Sequence, residues 1–220
     1  MTSGTRSEHG GAARGRRRFA AALGAALLAA PWPARAQPAR PFDLDALMAL
    51  LAQRKAGEAR FTEERTVAGF EGPLRASGTL AFTAPDRFVR ETLEPRRERM
   101  EVVGNQVRLE RGGRSRQLTL DAVPELAALI EGLRGTLTGN AELLRRHFDA
   151  RVGGQARLWT LTLVPRDAQL AAQVRALALA GAGADLRSVE VQMAGGDRSL
   201  MAIEPLAARS MIEPLAAPSK

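Results

Sequence analysis

The chain has 220 residues, 45% of them hydrophobic and 25% charged, a balance that supports a globular core and excludes a disordered polymer. Its formal charge of +8 invites nucleic acid, but six Arg and one Glu lie in the first 36 residues, a net +5, so only +3 remains elsewhere and the electrostatic case for DNA or RNA is weak. With no cysteine, the chain can have no disulfide framework, no thiol nucleophile and no ordinary zinc finger.

The first element in chain order is an export signal. Arg14 to Arg18 form a basic segment, Phe19 to Ala30 an apolar one, and Ala34-Arg35-Ala36 a small-x-small cleavage site. The apolar run is shorter than the ~20 residues of a membrane span. Cleavage after Ala36 is therefore expected, delivering the remainder to the bacterial periplasm by the general or the twin-arginine route.

Asp43 then reads as the cap of an amphipathic helix, with Phe42 placed to staple against Leu47 and with Leu44, Leu47, Met48 and Leu51 at helical spacing. Six β-like runs follow, near 59–68, 74–83, 87–93, 98–103, 106–111 and 114–120. Gly69, Gly72-Pro73, Pro85-Asp86, Pro95, Gly104-Asn105 and Gly112-Gly113 separate them at hairpin intervals. Short strands without intervening helices predict an antiparallel meander. Two helices interrupt it, one starting near Pro124 and carrying Leu126, Leu129, Ile130 and Leu133, the other capped by Asn140. Strands resume near 148–153, 157–164, 173–180, 186–193 and 198–204, with "PRDAQ" and "AGGD" as turns. The reading is α+β: one sheet of about eleven strands with three helices in a single domain over 37–205. The sequence "RSLMAIEPLAA" followed by "RSMIEPLAA" is read as a tail duplication, and 206–220 are expected to be a disordered tail.

Chemistry is sparse. His147 is the one histidine outside the export signal and is read as a helix-end residue. No nucleophile elbow, P-loop or dinucleotide fingerprint is present, and "GAGAD" at 181–185 lacks the third glycine. Glu63 and Glu64 are adjacent on a strand and point to opposite faces, so they cannot act as a carboxylate pair. Arg96-Arg97 and Arg145-Arg146 read as solvated charge or as a docking patch, and Trp159 as core or as the wall of a ligand cavity. No catalytic residue, metal site or cofactor is expected.

Phe61 with Gly78-x-Leu80-x-Phe82-x-x-Pro85-x-x-Phe88, then "VVGNQVRLE" and a helical interruption before returning strands, resembles the periplasmic outer-membrane lipoprotein carriers of the LolA-like family across most of 42–204. The resemblance implies an unclosed antiparallel β-barrel, a half-barrel whose apolar concave face is covered by helices. It also implies a carrier of acylated lipoproteins, working as a monomer between an inner-membrane donor and an outer-membrane acceptor. On that pattern Phe61, Leu80, Phe82, Phe88, Val102 and Trp159 would line the lipid cavity, and Leu126, Leu129, Ile130 and Leu133 would form its lid. Two departures mark a divergent member. Those carriers have a basic residue before the hairpin proline that latches the lid, where this chain has Ala84, leaving Arg87 or Arg90 to stand in. Tyr is absent and aromatics make up only 4% of the chain. Another envelope lipid or a glycolipid is thus an alternative cargo, and a non-catalytic sensor or scaffold acting by surface contacts an alternative role.

Overall fold

The computed structural model describes residues 41–206. The expected signal segment and its cleavage site lie outside the described residues, as do positions 207–220 of the expected tail. Helix α1 (Leu44–Leu51) begins where Asp43 Oδ1 accepts from Ala46 N at 2.9 Å, and Leu47, Met48 and Leu51 bury its apolar face. Strands β1 (Ala56–Thr66), β2 (Leu74–Thr83), β3 (Arg87–Glu94), β4 (Glu98–Val103), β5 (Gln106–Arg111) and β6 (Arg114–Thr119) follow in sequence. A 3-10 turn at Leu120–Ala122 leads to α2 (Pro124–Thr138) and α3 (Ala141–His147), and then to β7 (Phe148–Gln155) and β8 (Leu158–Pro165). After the one-turn helix α4 (Ala168–Ala171), β9 (Val174–Ala182), β10 (Asp185–Met193) and β11 (Arg198–Pro205) complete the order. Helix α4 corrects the expectation of three helices: the "PRDAQ" turn coils because Asp167 Oδ1 caps Leu170 N at 2.8 Å. Leu206, first residue of the expected tail, still donates to Glu58 O at 2.8 Å.

All strands join one antiparallel sheet in the order β6-β5-β4-β3-β2-β1-β11-β10-β9-β8-β7. The outermost strands β6 and β7 do not pair, so the sheet is an open half-barrel, as the family resemblance implies. Chain order explains the position of the helices. The first meander runs from the sheet centre to one edge, whereas the second starts at the opposite edge and returns to the centre. The connection between them, which holds α2 and α3, must therefore cross a face of the sheet. Helix α2 stops at Gly139, whose φ of +68° is cheap only without a Cβ, and Asn140 N donates back to Gly135 O at 2.8 Å. Asn140 Oδ1 then caps α3 by accepting from Leu143 N at 2.8 Å.

Burial divides the interior into two clusters. One joins α1 and α3 to β7–β11 through Leu47, Leu144, Phe148, Trp159, Leu161 and Leu177. The other joins β2–β6 to α2 through Phe82, Phe88, Val102, Val107, Leu120 and Ile130. Leu133 of α2 packs against both, which places the helix over the seam.

Candidate functional site

Between α2 and the inner face of the sheet lies a cavity of about 180 Å³. Strand parity decides its floor. Register places Phe82 opposite Phe88 and Leu80 opposite Arg90, and Arg90 opposite Met100, so these side chains share the inner face. Leu80, Phe82, Phe88 and Met100 form one side of the floor, and Val189, Val191, Met201 and Ile203 of β10 and β11 the other. Leu129, Ile130, Leu133 and Leu137 of α2 form the roof. Phe82 and Phe88 face each other across the hairpin with ring centroids 5.1 Å apart, which explains the aromatics on both of its arms.

Of the residues the sequence pointed to, Leu80, Phe82 and Phe88 line the cavity, as do Leu129, Ile130 and Leu133. The others have different places. Val102 is fully buried between Phe88 and Val107 in the β2–β6 cluster, and Leu126 packs into the same cluster. Trp159 is fully buried in the opposite cluster, with Nε1 donating to Gly183 O at 2.9 Å. Its ring occupies the space over Gly181, where a Cβ would lie 2.2 Å from it, so strand β9 accepts the indole only through that glycine. Phe61 is buried under the Arg90 guanidinium, whose carbon lies 4.7 Å from the ring centroid, and it sits beside its cross-strand partner Gly78. A Cβ at Gly78 would meet Glu91 O at 2.0 Å, so this motif glycine has a steric reason.

Among the described residues, neither arginine offered as a stand-in latch is bonded to α2. Arg87 pairs with Glu101 at 2.7 Å and Arg90 with Glu63 at 2.5 Å. Helix α2 is instead tied to the sheet by its own Arg134, which donates from Nη2 to Gly104 O in the β4–β5 turn at 2.8 Å and pairs with Glu131. A single hydrogen bond of this kind contributes about 1 kcal/mol.

Sequence reasoning missed the cavity's polar groups. Arg54 pairs with Asp185 at 2.6 Å near Gly57, and six residues further along β1, about 20 Å away, Glu63, Arg90 and Ser199 meet. A usable signal existed for Glu63. The alternation that separates it from Glu64 also aligns it with Ala59 and Phe61 on the inner face.

Two ion pairs brace the frame outside the cavity. The Arg145 guanidinium lowers the pKa of Asp45 and so ties α3 to α1. Hydrogen bonds from Arg198 and Gln192 lower that of Glu190 where β10 meets β11.

A family model described as outer membrane lipoprotein carrier protein LolA-like matches residues 36–217. No curated protein matches the sequence. Among solved structures, a LolA superfamily protein from Nitrosomonas europaea is 8% identical, covering 74% of this chain and 91% of its own, with TM-score 0.40. A chain of the Pseudomonas aeruginosa MucA/MucB complex is 16% identical over 79% of this chain and 61% of its own, at 0.43. The Mycobacterium tuberculosis lipoprotein LppX is 12% identical over 73% and 93%, at 0.36.

Proposed function

The chain belongs to the LolA-like outer membrane lipoprotein carrier family, and from that premise we propose that it is a non-catalytic periplasmic carrier that holds the acyl chains of a lipoprotein or another envelope lipid beneath α2 and hands them toward the outer membrane. The observation that carries this reading is the apolar cavity between the open sheet and α2. At about 180 Å³ it exceeds the ~150 Å³ of an engineered apolar cavity that admits benzene. A ring-sized group fits as the protein stands, and a long chain fits only by displacing the lid.

That requirement supplies the energetics of transfer. Burying about fourteen methylenes is worth roughly 11 kcal/mol gross at ~0.8 each. The Leu129, Ile130, Leu133 and Leu137 contacts must be given up in exchange, so net affinity is the difference between a lid-filled and a lipid-filled interior. A donor and an acceptor protein can then pass cargo along a shallow gradient.

Saturable displacement of an apolar fluorescent dye by acyl ligands tests the reading, with Phe82→Glu as the control variant. A carboxylate at this buried position should weaken dye binding by more than about tenfold, since an unpaired buried charge costs several kcal/mol, while far-UV circular dichroism stays that of a β-sheet protein. Absence of saturable binding by the wild-type protein would reject the carrier.

A further inference from the structure

A largely apolar cavity holds, besides the Arg54–Asp185 pair, a second polar cluster. Glu63 Oε2 accepts from Arg90 Nη2 at 2.5 Å and Glu63 Oε1 accepts from Ser199 Oγ at 2.5 Å, so both carboxylate oxygens are engaged. The pair is largely enclosed, with side chains 14% and 27% exposed, and all three residues line the cavity. Met100 lies opposite Arg90 and Val191 opposite Ser199, which surrounds the cluster with alkyl wall. Stability alone is a weak reason for this arrangement, because replacing a buried ion pair by apolar residues is often neutral or favourable.

Donor counting shows what the cluster offers. A guanidinium carries five N–H donors, and among the described residues Arg90 gives Nη2 to Glu63 and Nε, at a long 3.4 Å, to Thr92 Oγ1. Stacking on Phe61 holds its plane. The remaining donors belong to a group whose positive charge is already balanced by Glu63. An uncharged acceptor can be added there without a new charge, whereas a second anion would meet the Glu63 carboxylate within a few ångströms in a poorly screened interior.

We infer that the Glu63–Arg90–Ser199 cluster is a head-group subsite that takes the neutral carbonyl of an acyl ester or amide and discriminates against a free fatty-acid carboxylate. The inference rests on the lipid-carrier reading and adds a ligand class to it. A fixed donor at one end of the cavity also sets how deep an acyl chain enters.

The test competes decanoylglycerol and decanoate against an apolar dye at about pH 8, where the fatty acid is ionised, using wild-type protein and Glu63→Gln. In E63Q, decanoate affinity should rise about tenfold, the scale of a released charge-assisted hydrogen bond, while decanoylglycerol changes less than about threefold. Equal response of the two ligands to E63Q overturns the subsite and leaves the carrier reading standing. Failure of the wild-type protein to bind the dye overturns both. Should E63Q not fold, Glu63→Leu combined with Arg90→Met is read instead. Loss of the spare donor must then weaken decanoylglycerol about tenfold with dye binding retained, and unchanged decanoylglycerol binding overturns the inference.

Discussion

The two halves of the sheet carry the same strand pattern and are finished differently. In β8 and β9 the inward side chains are sealed: Leu161 and Leu163 are fully buried, and Leu177 and Leu179 are 1% and 2% exposed. Helix α2 comes so close there that a Cβ on Gly132 would approach Leu177 to 2.8 Å. In β2–β6 the inward Met100, Leu109 and Leu118 are only half-buried, and the same face ends in Arg114 and Arg116 on the edge strand. One helix thus rests on a finished core on one side and on a loose covering on the other. On the proposed carrier reading, α2 acts as a lid with its fixed margin over β8 and β9 and its free margin over β2–β6.

The largest expected effect checks that asymmetry directly. Leu161→Ala should cost about 2–5 kcal/mol in urea unfolding, because a sealed site cannot collapse around the deletion. Leu109→Ala should cost less than about 1.5 kcal/mol, since its side chain is only partly buried. Equal losses would break the comparison. An intermediate effect belongs to the Arg134 tie. Arg134→Ala removes the bond to Gly104 O, lowers stability by about 1 kcal/mol, and should tighten acyl-ligand binding up to about fivefold by raising the fraction of lid-open protein. Unchanged or weaker binding would place the free margin elsewhere.

The smallest effect is in the brace between β10 and β11. Hydrogen bonds from Arg198 and Gln192 lower the Glu190 pKa from 4.5, so the folded state keeps this charge to lower pH than the unfolded chain. The resulting stability is complete above the ordinary glutamate value and disappears as pH falls through the lowered folded one. Arg198→Ala should therefore cost little at neutral pH, as for an exposed ion pair, and its difference from wild type should shrink in melts below about pH 4. A difference that grew with acid would reverse the sign assigned here.

Much of the fold is readable from local pattern. The Asp43 and Asn140 caps, the eleven strands and the helical interruption all depend on residues within a few positions of one another, and each is found where its signal lies. The Asp167 cap was equally local, but four helical residues are too few to produce an apolar period. The cavity was legible only in part. Leu80, Phe82 and Phe88 share one hairpin and one parity, so the motif brings them together. Val102, Leu126 and Trp159 are as apolar as the lining residues and differ from them only in what covers them. No periodicity encodes that difference.

What the sequence by itself determined is an alternation of short antiparallel strands, a pair of capped helices between two meanders, and a glycine-spaced hairpin with aromatics on both arms. Each of these comes from steric and hydrogen-bonding preferences that act over a few bonds. Tertiary structure alone decided that the connecting helix crosses the inner face and leaves a cavity beneath it, that Arg134 ties it to the β4–β5 turn, and that Glu63, Arg90 and Ser199 meet inside. Those outcomes follow from strand register and from the pairing of β1 with both β2 and β11, which join positions 27 and 136 residues apart and depend on the packing of the whole sheet rather than on any one segment.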